Sequence, residues 1–203
     1  MICIIDYGMG NLRSVEKAFL RLKTDVKISN KTEDIQKASK LVLPGIGHFA
    51  KGMENLFQLK LVDVLNKEVL ENKKIVLGIC LGMQLMTDHS EEGDCNGLGW
   101  IAGKSLLFND SKLKIPHMGW NTIHIEQQHP VLENTELSDD FYFAHSYYVH
   151  CKKKENILCT TEYGIPFHSG IIENNIIGLQ FHLEKSHSAG LKIIQNFIDY
   201  QYV

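Results

Sequence analysis

The chain has 203 residues, 44% of them hydrophobic and 22% charged, which are ordinary values for a single globular domain with room for a proper core. A formal net charge of -3 argues against a dominant nucleic-acid or membrane-surface role, since either usually brings a basic excess. No run is long and apolar enough to span a bilayer, and the opening MICIIDYGMGN lacks the basic leader of a signal peptide.

In chain order, ICIID is a short apolar strand of the kind covered on both faces, and the glycine-bearing turn YGMGN follows it. In LRSVEKAFLRL, Leu12, Val15, Phe19 and Leu22 share one helical face. VKIS predicts a second strand, TEDIQKA a short helix opened by Thr32 as N-cap, and KLVLPGIG a third strand running into a turn. An interrupted helical stretch from about Phe49 to Asn72 precedes the strand KIVLGIC, and LGMQLMTDH begins the next helix.

Strands alternating with helices imply βαβ units. From Gly97 onward the pattern changes to short β-like runs: IAGKSLLF, WNTIHIE, FYFAHSYYVH, NILCTTEY, PFHSGIIEN and IIGLQFH. Tight turns such as ENN suggest hairpins. CKKKEN reads as a solvated turn, and the amphipathic SAGLKIIQNFIDY, with Ser188 as cap, closes the chain. The expected fold is one α/β domain over residues 1–203. It has an open mixed sheet, mainly parallel, flanked by helices, with antiparallel additions in the C-terminal half.

Five cysteines (Cys3, Cys80, Cys95, Cys151 and Cys159) form an odd, scattered set without CxxC spacing. That pattern predicts reduced thiols in a cytoplasm and no structural zinc. Four of them read as small buried hydrophobes.

Cys80 is different. GICLG between a strand and a helix has the form of a nucleophile elbow, in which small neighbours permit a sharp turn. The turn lifts the thiol to the carboxyl edge of the sheet, where ligands bind in open α/β folds. There the helix N-terminus favours thiolate, and the next N–H can serve an oxyanion. A cysteine nucleophile wants a histidine base and a group to orient it. In GLQFHLEKS, His182 and Glu184 stand at i and i+2 of an extended segment, on one face, so Glu184 can hold one imidazole nitrogen and leave the other for sulfur. HLEKSH does not space His182, Glu184 and His187 well for a metal. DYGMGNLR carries Arg13 where a dinucleotide loop needs its third glycine, so no cofactor is expected.

With IIDYGMGNLRSV, LVLPGIGHF, VLGICLGMQLM, GLGWI, KIPHMGWN, FYFAHSYY and LQFHLEKS on the page, the chain resembles the class I, triad-type glutamine amidotransferases. More narrowly, it resembles the glutaminase subunits of imidazole glycerol phosphate synthases, which act in histidine biosynthesis. The resemblance implies a flavodoxin-like fold that hydrolyses L-glutamine and passes ammonia to a (β/α)₈-barrel cyclase partner. It implies Cys80 as nucleophile, His182 as base and acid, and Glu184 as its orienter. Gly45, Ile46 and Gly47 match the oxyanion strand, Leu81 supplies the second donor, and Gln84, Ser146 and Tyr147 match substrate-binding positions. Asn11, Met118, Trp120 and Lys185 match positions at the partner interface. His145 is expected to be buried, with Ser146 and Tyr147 nearer the site; His117, Met118 and Trp120 could be plain core, whereas an exposed Met/Trp pair would suit a partner surface. One departure stands out: the family's His-Pro-Glu is His182-Leu183-Glu184 here. That leaves open a paralogous branch supplying ammonia for amidino-sugar formation.

Overall fold

Ile2 and Ile4 pack into one hydrophobic core and Cys3 and Ile5 into another, and this two-sided burial is why the opening run is apolar throughout. The structure is a computed structural model and describes every residue except Asp110, Lys112 and Val203. Strand β1 (Ile2–Ile5) lies between β2 (Val26–Ser29) and β3 (Lys40–Gly45), all parallel. β3 pairs with β4 (Ile75–Cys80), and β4 with the late strand β14 (Ile176–Leu179), again in parallel. The order β2-β1-β3-β4-β14 is that of a flavodoxin-like doubly wound sheet.

On one face lie α1 (Leu12–Arg21) and α6 (His187–Asp199), whose Phe19 and Phe197 meet edge to face at 6.3 Å. On the other lie α2 (Thr32–Lys37), α3 (Phe49–Gln58) and α4 (Leu61–Asn66), which runs on into a π-helical turn, Lys67–Glu71. The expected break in that long stretch falls at Lys60, in the left-handed region at φ 54°. Lys40, buried at the start of β3, reaches across to the end of α6 and donates to the carbonyls of Phe197 (2.8 Å), Ile198 and Tyr200. It satisfies helix-terminal acceptors that have no partner within the helix.

Beyond β14 the sheet turns antiparallel. β13 (Ile165–Glu173) forms a hairpin with β14 through Asn174 and Asn175, the turn expected from ENN, and also pairs with β12 (Ile157–Tyr163) and β11 (Tyr147–Cys151). β11 continues to β7 (Ile101–Leu107), which runs parallel to β5 (Thr87–Ser90). β5 carries the short edge strand β6 (Cys95–Asn96), and β9 (His124–Ile125) pairs with β12. A separate ribbon pairs β8 (His117–Asn121) with β10 (Phe141–His145).

Several local expectations change. LGMQLMTDH is not a long helix: α5 (Leu81–Leu85) stops after five residues, and Thr87–Ser90 is strand. FYFAHSYYVH is two strands broken at Ser146, because β10 belongs to the ribbon and β11 to the main sheet. Thr32 is the first helical residue rather than a cap; the local bonds are Ser29 Oγ accepting from Lys31 N–H (3.1 Å) and donating to Asp34 (2.6 Å). Ser188 lies inside α6, not at its cap. CKKKEN is solvated only in its middle: Cys151 and Asn156 are buried, and the Asn156 amide donates to Ile172 O at 2.8 Å. Cys3, Cys151 and Cys159 are buried as expected, with thiols raised by burial to about 11, about 12 and about 12, whereas Cys95 is half-exposed.

Candidate active site

β3 and β4 end in register, Gly45 opposite Cys80, so the PGIG turn and the elbow meet at one sheet edge. Cys80 has φ 54° and ψ −109°, a region that side-chain-bearing residues seldom occupy. The flanking glycines are required by close approach: a Cβ on Gly82 would stand 1.7 Å from Leu43 O, and one on Gly78 2.8 Å from Gly82 O. α5 therefore sits tightly on β3 and β4, its first N–H groups following directly on Cys80. Five residues make too short a helix for a long dipole, and these N–H groups, which lack intrahelical acceptors, are what it offers. Gly45 is packed too closely for a side chain, its Cβ position being 2.3 Å from the Tyr7 hydroxyl, which donates to Pro44 O at 2.7 Å. Gly47 takes φ +117°, a conformation that needs glycine.

His182 follows β14. Its N–H donates to Tyr142 O (2.8 Å), and its Nδ1 lies 2.9 Å from Glu184 Oε1. The expected pairing holds, but for a different local reason. Residues Leu183–Lys185 form a 3₁₀ turn rather than an extended segment, and the turn folds Glu184 back onto the ring. Ser186 braces that turn, its hydroxyl donating to His182 O (2.6 Å) and accepting from Tyr142 N–H (3.0 Å). Leu183, where the resembled family has proline, fills a buried core position.

His182 Nε2 is buried and has no hydrogen-bond partner among the described residues. Burial disfavours charge on this ring, but the neighbouring Cys80 sulfur and the Glu184 carboxylate outweigh it, raising the imidazole to about 10. With Nδ1 held by Glu184, Nε2 is the ring nitrogen left to act as a base.

A cleft of about 250 Å³ opens on Cys80 and is lined by Ile46, Gly47, Leu81, Gln84, Ser146 and Tyr147, with Glu92, Pro116, Met118, Ala144 and His145 completing it. Six of the seven residues expected to hold oxyanion or substrate line this cleft. Gly45 lies behind it, as strand support. Of the four expected interface residues, Met118 and Trp120 are 65% and 47% exposed, so they are not core. Trp120 stands opposite Tyr142 in the β8–β10 ribbon, and the Lys185 ammonium lies 5.1 Å from the Tyr142 ring. Asn11 caps α1, accepting from Ser14 N–H at 3.2 Å, beside Gly10, which packs on Gly45.

The sequence reading missed three neighbours. Gln180 is fully buried and donates to the Cys80 sulfur at 3.6 Å. Its signal was a polar residue in an apolar strand, two before His182 and so on the same face. Glu92 places a carboxylate at the cleft and accepts from Phe49 N–H at the start of α3 (2.7 Å). Tyr7, in the turn after β1, braces the PGIG segment through Pro44 O. Among the described residues no group of three or more His, Cys, Asp and Glu is placed to hold a metal ion.

The family model "Glutamine amidotransferase class-I" matches residues 3–200. The chain is 50% identical to imidazole glycerol phosphate synthase subunit HisH 2 of Methanococcus maripaludis, covering 98% of both chains. It is 46% identical to subunit HisH 1 of Campylobacter jejuni, over 98% of this chain and 99% of the relative. A crystal structure of a glutamine amidotransferase superposes with a TM-score of 0.76 at 15% identity, covering 98% of each chain, a likeness of fold alone.

Proposed function

Because the chain belongs to the class-I glutamine amidotransferase family, we propose that it is the glutaminase subunit of an imidazole glycerol phosphate synthase, with Cys80, His182 and Glu184 cutting the side-chain amide of L-glutamine. Its ammonia then serves histidine biosynthesis. The single observation that carries the site reading is the buried His182 Nε2, without a hydrogen-bond partner among the described residues and oriented through Nδ1 by Glu184 beside an elbow cysteine.

The chemistry follows from those atoms. His182 Nε2 takes the Cys80 proton, and the sulfur attacks the amide carbon. The resulting oxyanion is held by Leu81 N–H and by a backbone donor from Gly45–Gly47. Protonated Nε2 then gives its proton to the leaving nitrogen, and ammonia departs from the thioester. Water, deprotonated by the same nitrogen, releases glutamate and restores the thiol. Ser146 and Tyr147 hold the amino-acid end of the substrate with Gln84, and the Glu92 carboxylate faces its ammonium group. The whole chain works as one amidotransferase domain.

Ammonia passes to a (β/α)₈-barrel cyclase docked on the cleft rim. Exposed Ile46 and Met118 line the cleft, and exposed Trp120 with Lys185 lies close by, which supports an apolar contact surface there. Among the described residues no helix is long and apolar enough to cross a membrane. The amidino-sugar alternative draws no support from the relatives' names, which favour the histidine branch.

The test is glutamate release with and without a barrel cyclase and its acceptor nucleotide. Strong stimulation by the histidine-pathway cyclase is expected. Response only to a glycan-locus barrel would overturn the pathway, and unaltered turnover in Cys80→Ala would overturn the site.

A further inference from the structure

The buried amide of Gln180 reaches the reacting sulfur, and its direction is set by its neighbours. Tyr147 O can only accept, so Gln84 must turn its NH₂ group toward it (2.9 Å). The same NH₂ group lies 3.1 Å from Gln180 Oε1, which fills that acceptor. The other end of the Gln180 amide, its NH₂, is thereby aimed at Cys80 Sγ, 3.6 Å away. His145 Nδ1, 2.7 Å from the same carbonyl, anchors the far end of the chain. Gln180 is one residue past Leu179, which pairs with Ile79 in the parallel ladder, so the strands themselves hold the amide beside Cys80.

We propose that Gln180 is a further catalytic residue, which donates an N–H hydrogen bond to the Cys80 sulfur and stabilises it as the thiolate, its donor end fixed by the chain from Tyr147 O through Gln84. This rests on the reading of Cys80 as the nucleophile, but not on glutamine as the substrate. A buried glutamine side chain at this place has a structural use, since it fills space and satisfies Gln84. That use fixes which way the amide points, and the pH dependence of the thiol is what separates it from stabilisation of the thiolate. A hydrogen bond to a charged acceptor is roughly twice as strong as a neutral one, so the contact matters most once the thiol ionises. The titratable groups around the sulfur are His182, Tyr7 and, in the cleft, His145 and Glu92; substitution at position 180 leaves all four in place.

The experiment is the pH dependence of Cys80 alkylation by iodoacetamide in the full chain, read on the Cys80 peptide by mass spectrometry so that the other thiols do not interfere. Gln180→Met keeps the length and removes the donor, and its alkylation midpoint is expected to rise by about one pH unit, a tenfold loss of thiolate at a given pH below the midpoint. Gln180→Glu puts an acceptor against the sulfur and should rise further. Folding is checked by circular dichroism and thermal melting. Folded variants of both kinds with the unsubstituted midpoint would overturn the proposal. Should both variants fail to fold, the unsubstituted protein still decides. The Gln180 side-chain amide resonances should shift with the midpoint of Cys80 alkylation, and resonances indifferent to Cys80 titration would overturn the proposal. Glutamine turnover is measured separately. Its absence in a protein that passes these thiol tests would count against the glutaminase reading while supporting the role of Gln180.

Discussion

Acidification should unfold this protein through a buried histidine pair, and the structure specifies both the size and the sign of the effect. His117 and His145 are buried, with His117 Nδ1 3.1 Å from His145 Nε2. His145 Nδ1 lies 2.7 Å from the acceptor Tyr147 O, so it carries the proton and His145 Nε2 must accept from His117 Nδ1–H. Both rings are satisfied only when neutral. Burial lowers His117 to about 4; at His145, burial together with the neighbouring imidazoles outweighs the Tyr147 hydrogen bond and lowers it to about 3. Because the folded values lie below the unfolded value near 6.5, the unfolded chain binds protons first as pH falls, and stability drops between about pH 6.5 and 4. For His117 alone the difference corresponds to about 3 kcal/mol, a large part of the 5–15 kcal/mol typical of a domain. His182 acts in the opposite sense: its raised value gives stability that is full below about 6.5 and fades as pH rises toward about 10. The assay is urea unfolding at half-unit pH steps, comparing the unsubstituted chain with His117→Gln. The variant should lose stability less steeply over that window, by close to one proton. Equal slopes in the two proteins would refute the reasoning.

Three further outcomes are expected. Gly47→Ala forces a side chain into φ +117° with its Cβ 2.9 Å from Met9 Cε, and partner-stimulated glutamine hydrolysis should fall by about 100-fold if this loop supplies an oxyanion donor; unchanged stimulation would show that it does not. Leu183→Pro puts proline first in a 3₁₀ turn, where its missing N–H costs little, after a residue already extended at ψ 103°. Glutamine turnover should stay within about threefold while urea unfolding reports a loss of roughly 1–3 kcal/mol from the vacated core; a folded but inactive variant would disprove the compatibility. Lys40→Met should lower stability by about 2–4 kcal/mol in urea unfolding by stripping the end of α6 of its donors, with glutamine turnover little changed.

The sequence by itself determined those features that local pattern can carry. Apolar runs such as ICII and IVLGIC mark strands with two covered faces, because side chains alternate across a strand and both sides must be buried. The elbow was legible because close approach at Gly78 and Gly82 leaves glycine as the residue that fits beside Cys80. His182 and Glu184 were legible as a pair because two residues of separation bring them together in a strand and, as it turned out, in a 3₁₀ turn as well.

Only the tertiary structure decided the rest. The break of FYFAHSYYVH at Ser146 depends on which sheet each half joins, and that is settled by distant strands rather than by composition. The early end of α5 has the same origin, since Thr87–Ser90 is claimed by pairing with β7. Gln180 beside Cys80, Lys40 at the end of α6 and Glu92 at the cleft are polar residues whose partners lie far along the chain. A period of two or of 3.6 residues reports only near neighbours; which distant acceptor satisfies a buried polar group emerges when the strands align. GICLG together with the distant His182-Leu183-Glu184 marked Cys80 as the candidate nucleophile, whereas the environment around its sulfur required the assembled sheet.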